Sequence, residues 1–565
     1  MRRHAEQPAG RPRRPKPKIV LLRPPSCEVE GSRGHSMDIP LGLLSIAAVL
    51  EARHYDVAVY DCRVEGTDPA ARRACGRGHL VGASWEDIAA FLRRSSPDIV
   101  GISCSFTTQS EVALQLAEVV KGAKETILTV VGGPHASAQP ETILERSPFV
   151  DLVVTGEGEY ALAEIAEACE GRRALSEIQG LVYRCEGTII RNERRNAIRC
   201  LDDLPLPAYH LIDLEKYFAL KRTAADSDVA RPRFDYPGSE RSLAVITSRG
   251  CPFDCVFCSI HLHMGKRYRA HSARYVLDHL EVLVTSYGVN HVHFEDDNLT
   301  LDRERFFQIL DGIEKRGLRL TWDTPNGVRA DTLDREILEK CKRTGCVYLI
   351  MGVESGDQDV LDHVIRKQLS NDTIFAVAER AQEVGIDLRS FFIIGFPGET
   401  LAQIRTTLEV ALHLHRRYRV QPSLMFATPL LGTRLYDICC ERGYLQEPVT
   451  PVSLATATSR RGIIATPEFN PDELCALRDR FSRDCRRIHQ VNFVKGLLRA
   501  PRLLVYILAT ALKTARRLRS CCADTELFYH FLKSSRPVPS GSRNRPAAPV
   551  SAARRSPCAV PSDAA

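Results

Sequence analysis

The sequence predicts an α/β protein: an N-terminal doubly wound parallel-sheet domain, then a partial (β/α)6 barrel, then a helical C-terminal region. Three observations predict it. Short β-rich apolar runs alternate with helical segments from Lys18 to about Gly171; a second series of six such runs begins near Ser242; beyond about residue 465 only helical spacing remains. A chain of 565 residues exceeds one core, so several domains are expected. Their expected limits are a disordered basic tail at 1–17, a first domain at 18–172, a linker with a hairpin at 173–235, a barrel at 236–450, a helical region at 451–535 and a disordered tail at 536–565.

In the first domain the runs "KIVLLRPP", "DVAVYD", "DIVGISCSF", "TILTVVGG" and "DLVVTGEGE" are strands, and segments such as "SEVALQLAEVVKGA" are the helices between them. A doubly wound sheet binds its ligand beyond the carboxyl ends of its strands. Here those ends carry Ser103 and Ser105, then Gly132, Gly133 and His135, then Gly156, Glu157 and Gly158. Glycine lets a bulky ligand approach the backbone. Any one of these turns alone reads as an ordinary strand-to-helix connection; three at one sheet edge favour a ligand.

The linker carries "GLVYRCEGTIIR", a hairpin turning at Glu186-Gly187, and the proline-marked stretch "LDDLPLPAYHLIDLEKY". In the second region the strands are "LAVITSRG", "HVHFEDD", "LTWDTPNGVRA", "VYLIMGVESG", "DLRSFFIIGFPGE" and "QPSLMFATPL". Barrels of this kind place reacting groups at the carboxyl ends of strands. The first such end runs directly into Cys251, Cys255 and Cys258, spaced C-x3-C-x2-C. Structural zinc normally takes four ligands, and an iron–sulfur cubane usually takes four cysteines. Three thiolates suit a metal centre that keeps one position open for a substrate or cofactor.

That spacing, with Phe257 before the last cysteine and a barrel strand before the first, resembles the signature of the radical S-adenosylmethionine (SAM) superfamily. The resemblance implies that Cys251, Cys255 and Cys258 hold a [4Fe-4S] cluster whose fourth iron chelates SAM. It further implies SAM contacts at the later strand ends: Glu295, Asp296 or Asp297 in "HFEDDN" near the amino group, Arg329 in "NGVRAD" at the carboxylate, Glu354 in "GVESG" at the ribose hydroxyls, and the backbone of Ile393 to Gly395 in "IIGFPGET" at the adenine. Taken singly, each acidic residue also reads as a helix cap or solvated turn.

A doubly wound domain ahead of such a barrel resembles the cobalamin-dependent radical SAM enzymes. "VVGGPHAS", "DLVVTGEGE" and the linker extend that likeness over about residues 18 to 450. The first domain is thus expected to be a Rossmann-like (flavodoxin-like) cobalamin domain, with Ser103, Ser105, Gly132, Gly133, His135, Gly156, Glu157 and Gly158 against the cofactor. One pattern departs from cobalamin domains whose histidine ligates cobalt from below: "RGHLVG" has Arg77 where an aspartate is needed, so His79 is expected to be a loop residue rather than a ligand.

The resemblance implies a methyltransferase acting on an unactivated carbon of a small-molecule, lipid or natural-product substrate through methylcobalamin and a 5′-deoxyadenosyl radical. The alternatives left open are oxidative cyclisation or rearrangement without methyl transfer, and a cofactor-sensing binding protein. A thiomethylating relative would need a second cysteine cluster; Cys341 with Cys346 and the pairs at 439–440 and 521–522 lack such spacing. An electron donor such as flavodoxin or ferredoxin is expected. The oligomeric state is not encoded in any pattern.

The formal charge of +7 is concentrated. Seven basic groups lie in the first 18 residues, without interleaved aromatics, which argues against nucleic acid. No apolar run reaches the roughly 18–20 residues that span a bilayer and no signal-peptide core follows the N-terminus, so a cytoplasmic protein is expected. The 19 cysteines fit that setting as thiols. Residues 492–519 set "LLVYILATAL" between basic residues. This pattern reads either as a core helix or as an interfacial helix making peripheral membrane contact.

Overall fold

A computed structural model describes residues 15–29, 38–66, 72–75, 78–224, 239 and 241–499. The expected basic tail through residue 14, the apolar basic segment beyond Arg499 and the C-terminal tail lie outside these residues. The chain divides into two compact units, residues 1–488 and 489–565; the second is described only through Arg499, as the end of a helix running Pro471–Arg499.

The N-terminal sheet is built from β1 (Ile19–Arg23), β2 (Val57–Asp61), β3 (Ile99–Ser103), β4 (Leu128–Gly132), β5 (Leu152–Val154), β6 (Leu181–Cys185) and β7 (Thr188–Arg191). Its order is β7-β6-β5-β4-β3-β1-β2. The first five strands are parallel, with Leu21 opposite both Val59 and Gly101. The order therefore reverses between β1 and β3, and doubly wound sheets open their ligand crevice at such a switch point. Strand alternation supplies both cores. Val20, Leu22, Val100 and Ile102 pack on one face; Ile19, Leu21, Ile99 and Val130 pack on the other. The helix Trp85–Ser95 is started by a reciprocal Ser84–Asp87 capping box, worth about 1 kcal/mol in such helices. The hairpin β6–β7, placed in the linker by its sequence, joins this sheet: β6 pairs antiparallel with β5.

The second sheet comprises β8 (Ser242–Val245), β9 (His291–Phe294), β10 (Thr321–Val328), β11 (Cys346–Glu354), β12 (Leu388–Ile394) and β13 (Gln421–Phe426), in that spatial order and all parallel. Consecutive order with helical crossovers is the topology of an open (β/α)6 barrel. Its helix-facing side is anchored by Trp322, which meets Phe294 and Phe306 edge-on at 5.5 and 6.2 Å. No helix among the described residues is long and apolar enough to cross a membrane.

The proline-marked stretch between the sheets joins the two cores. Tyr209 is buried, with its hydroxyl 2.9 Å from His279 Nε2. The following helix, Leu214–Ala224, buries Tyr217 and Phe218 and sends Lys221 to the Ser242 carbonyl at 2.8 Å. Tyr217 donates to the buried Asp61 carboxylate at the end of β2, at 2.7 Å. Tyr217→Phe removes that donor while keeping the ring. Loss of a hydrogen bond to a buried charged acceptor is expected to cost about 1–3 kcal/mol. Urea unfolding of the full chain checks it; an unchanged midpoint would show that the bond contributes nothing.

Candidate active site

β8 is followed by a two-residue ladder, Ser248–Arg249 against Arg269–Ala270, and the three cysteines occupy the loop it frames. Gly250 enters that loop with φ +82°, and a Cβ there would run into the Arg267 carbonyl oxygen, so the position requires glycine. Asp296 braces the approach: its Oδ1 accepts from Thr247 N at 3.1 Å, Thr247 Oγ1 at 2.7 Å and Ser248 Oγ at 2.5 Å. Asp297 Oδ2 accepts from Gly250 N at 3.0 Å. Inside the loop, Cys258 N donates to Cys255 O at 3.1 Å, and Val256 N to Ile365 O at 3.1 Å.

Burial raises all three thiols, Cys258 to about 12, while Lys367 and Arg329 pull Cys255 back down. A bound metal centre displaces such protons. Among the described residues, the one group of three donors closing to within 4.8 Å is His291, His293 and Asp323. Phe257 packs on Phe396 with ring centroids 5.8 Å apart, linking this loop to the end of β12.

The later strand ends are differently occupied. Glu354 closes β11 at φ +68°, after a register shift between Gly352 and Glu354, and its buried carboxylate is 2.7 Å from Lys367 Nζ. A left-handed glutamate is a strained conformation of the kind that clusters at functional sites. One oxygen is committed to Lys367; the second is Oε2. Arg329 stacks over Phe253 at 3.6 Å and donates to Asp331, to Lys367 O and to Gln368 O. Those contacts occupy all but one of its five N–H groups. Beyond β12, Gly395 N and Phe396 N both donate to Glu399 Oε2 at 2.7 Å, leaving those amides no capacity for an adenine. Ile393 is held in the ladder opposite Met425.

In the first domain Ser103 Oγ lies 3.2 Å from Ser105 Oγ. Gly133, at φ +115°, lies where a Cβ would come 2.8 Å from the Cys104 carbonyl oxygen. His135 turns inward: Nδ1 is 3.0 Å from Thr107 Oγ1, and burial lowers its pKa to about 4. His79 stands on a strand, Gly78–Val81 of a small antiparallel sheet, rather than in the expected loop. Glu157 reaches across to the barrel, meeting Arg249 at 2.7 Å and Arg269 at 2.9 Å; Arg249 also meets Glu159 at 2.7 Å. All four side chains are at most 12 % exposed.

Between the carboxyl ends of the two sheets lies a cavity of about 460 Å³. The first domain lines it with Ser103, Ser105, Gly132, Gly133, Gly156, Glu157 and Gly158, and the barrel with Ile246, Arg249, Ile260, His263, Glu295 and Asp297. His135, Asp296, Arg329 and Glu354 are absent from its wall, and so are the cysteines, whose flanking residues face it instead.

Residues 38–166 match the B12 binding domain family and residues 245–411 match the Radical SAM superfamily. The chain is 32% identical over 424 residues to an uncharacterised methyltransferase, PH0819, of Pyrococcus horikoshii, covering 74% of this chain and 82% of that one. It is 28% identical over 508 residues to the cytidylyl-2-hydroxyethylphosphonate methyltransferase of Streptomyces wedmorensis (85% and 92% covered). It is 26% identical over 319 residues to an anaerobic magnesium-protoporphyrin IX monomethyl ester cyclase of Rubrivivax gelatinosus (56% and 54%). The fold is that of the cobalamin-dependent SAM radical enzyme OxsB solved with aqua-cobalamin and SAM: TM-score 0.64 at 18% identity, covering 92% of this chain and 72% of that one. The chain belongs to the cobalamin-dependent radical SAM enzymes.

The cofactors of a cobalamin-dependent radical SAM enzyme are a [4Fe-4S] cluster, SAM and cobalamin, and its chemistry needs a reductant. The donor set fits: three thiols at a glycine-entered loop, and a glycine- and serine-lined cavity at the sheet's switch point. Four functional positions escaped the sequence reading. Glu399 acts on amides 3 and 4 residues away, while Lys367, Arg249 and Arg269 act through partners 13 to 112 residues away that no local pattern marks. The nearest signal was the acidic end of "IIGFPGET".

Two outcomes are expected. Arg269→Met leaves Glu157 short of its second cation, and breaking a buried pair in this way costs about 3–5 kcal/mol. Denaturant unfolding with and without cobalamin measures it, and Arg269→Lys should restore only part, since lysine lacks the fork that also reaches Ile198 O and Met264 O. Glu399 is fully buried, which raises its pKa to about 8 from an ordinary 4.5. The folded state therefore keeps a proton that the unfolded chain releases; this stability is complete below pH 4.5 and lost as pH rises through about 8. Glu399→Gln keeps an acceptor oxygen for Gly395 and Phe396. It should flatten the fall in melting temperature across that window, and an unchanged pH profile would refute the assignment.

Proposed function

We propose that this enzyme methylates an unactivated carbon of a small-molecule, lipid or natural-product substrate held in the cavity between its two sheets. The observation that carries the reading is that one cavity is walled on one side by the switch-point glycines and serines and on the other by residues flanking the cysteine loop. The two most extensively covered relatives named above are methyltransferases, which supports methyl transfer over other outcomes.

When bound, the cluster and SAM supply a hydrogen-abstracting radical, and cobalamin supplies the methyl group. This chain's residues hold the partners in register. Cys251, Cys255 and Cys258 carry the cluster. Glu354, oriented by Lys367, would present its second oxygen to the SAM ribose. Asp297 and Glu295 would hold the SAM amino group, with Asp297 raised to about 7 by burial and by its neighbour Asp296. Arg329 fixes Phe253 under the loop, a positioning role beside the single N–H it could offer a carboxylate. Asp296 positions the loop rather than touching cofactor. Gly133 and Gly156, on the cavity wall, would admit the corrin close to the backbone. The electron donor is of the flavodoxin or ferredoxin class, and the protein is placed in the cytoplasm.

A second reading, oxidative cyclisation, is favoured by the relative named as a cyclase. Product stoichiometry separates the two. The full chain is loaded anaerobically with iron, sulfide and cobalamin, then given trideuteromethyl-SAM, reduced flavodoxin and cytidylyl-2-hydroxyethylphosphonate or a magnesium-porphyrin ester. Methyl transfer yields S-adenosylhomocysteine and 5′-deoxyadenosine in equal amounts, with the label in the product. Cyclisation yields 5′-deoxyadenosine alone. Cys255→Ala should lose the cluster absorbance and all 5′-deoxyadenosine; its full retention would sink the reading of the loop.

A further inference from the structure

Inside the barrel stand three metal-binding side chains that the reaction above leaves unused. His291 and His293 are two positions apart on β9 and so share one face. The alternate residue Phe294 faces the helices, against Trp322, so the histidines face the barrel interior. β10 runs parallel beside them, with Thr321 opposite His291 and Asp323 opposite His293. Asp323 thereby meets both rings. Its Oδ2 is 3.0 Å from His291 Nε2, and its Oδ1 is 2.9 Å from His293 Nδ1. The other nitrogen of His291, Nδ1, lies 2.7 Å from Thr321 Oγ1. The side chains are 0 %, 8 % and 0 % exposed for His291, His293 and Asp323.

The arrangement can hold an ion as well as hydrogen bonds, because its donor atoms all lie within 4.8 Å of one another. Ligands bonded at about 2.0–2.2 Å to one ion at near-right or tetrahedral angles lie about 3.0–3.5 Å apart, close to the separations seen here. The Thr321 hydroxyl on the distal nitrogen of His291 holds that ring in place, as an outer hydrogen-bond partner of a metal-binding imidazole would. A fully buried carboxylate also needs a countercharge. Two imidazoles and one carboxylate suit zinc, iron(II) or cobalt(II) better than magnesium or calcium.

We propose that His291, His293 and Asp323 bind one divalent transition-metal ion of the zinc class, separate from the cysteine cluster. The ion ties β9 to β10 one interior position below Glu295, which is on the cavity wall. It is a structural tie beneath the site, and it does not rest on the methyl-transfer reading.

The test is metal analysis of the full-length protein after dialysis against zinc. One zinc per chain is expected both in the native protein and in a Cys251→Ala, Cys255→Ala, Cys258→Ala triple variant, which has no cluster thiolates. It should be lost in His291→Ala and in Asp323→Asn. Since those variants also disturb a buried network, cobalt(II) titration of the triple variant gives an independent reading. Binding should produce d–d absorption without sulfur charge-transfer bands and quench emission from Trp322, next to Asp323. Absence of both zinc and the cobalt spectrum from the folded triple variant would overturn the proposal and leave a hydrogen-bonded triad. A cobalt spectrum that persists in a folded Asp323→Asn form of that variant would overturn it as well.

Discussion

The relation between the two sheets depends on four buried charges: Glu157 and Glu159 from the cobalamin domain, Arg249 and Arg269 from the barrel. Burial pulls Arg249 down, but the carboxylates of Glu159 and Glu157 outweigh it and hold its pKa above the ordinary arginine value. Burial pushes Glu159 up, and Arg249 more than reverses it. Such a network is poor evidence of stability, since desolvating four ions can cancel their attraction. Its worth is in geometry. Bidentate arginine forks accept few arrangements. Arg249 lies two residues before Cys251, and Glu157 lies in the turn after β5. The cluster loop and the corrin-side turn are therefore registered through side chains that touch, with Ile198 of the linker bonded to both Glu157 and Arg269.

The carboxyl ends of β11 and β12 show how the barrel holds its own side of the site. Glu354 accepts a left-handed backbone and a buried lysine partner. Glu399, buried and favoured in its protonated form, ties down two successive amides of the next turn. Both are local costs that surrounding packing must offset. Both fix loops that would otherwise be free to move at the mouth of the barrel. Gly395, at φ +90°, allows the turn to pass close to Leu474, so the helix Pro471–Arg499 contributes to the same rigidity from its first turns.

Much of this was legible in the sequence, for a physical reason. Strands buried on both faces read as apolar runs, and the strand-end glycines and cysteines interrupt those runs where chemistry begins. All five N-terminal parallel strands and four of the six barrel strands lie within the runs that named them, and the other two, Ser242–Val245 and Cys346–Glu354, begin one residue earlier. The pairing of residues distant in sequence was not legible. Nothing in "GEGE" distinguishes a carboxylate aimed at a cofactor from one aimed at Arg269, 112 residues away. The same gap explains Asp296, one residue from Asp297 yet turned to Thr247 and Ser248, and His135, turned to Thr107. The hairpin β6–β7 was placed as linker because a two-residue turn is visible locally while an edge partner is not. His291 and His293 were hidden inside a strand whose alternation was read only for its apolar members.

The chemistry of the cavity wall follows from burial more than from residue type. His263, His271 and His279 line it, and burial lowers each to about 4. At neutral pH these rings are uncharged, so they can accept or donate hydrogen bonds without drawing counterions or ordered water to the space. The charged Arg249 nearby is paired with Glu157 and Glu159, and the neutral His271 ring lies 3.2 Å from Asp202. A carbon-centred radical is neutral and is quenched by stray hydrogen donors rather than stabilised by charge. A wall of neutral rings and compensated ions presents little free charge, and the same ion pairs that dock the domains supply that compensation, so little is left to draw solvent in.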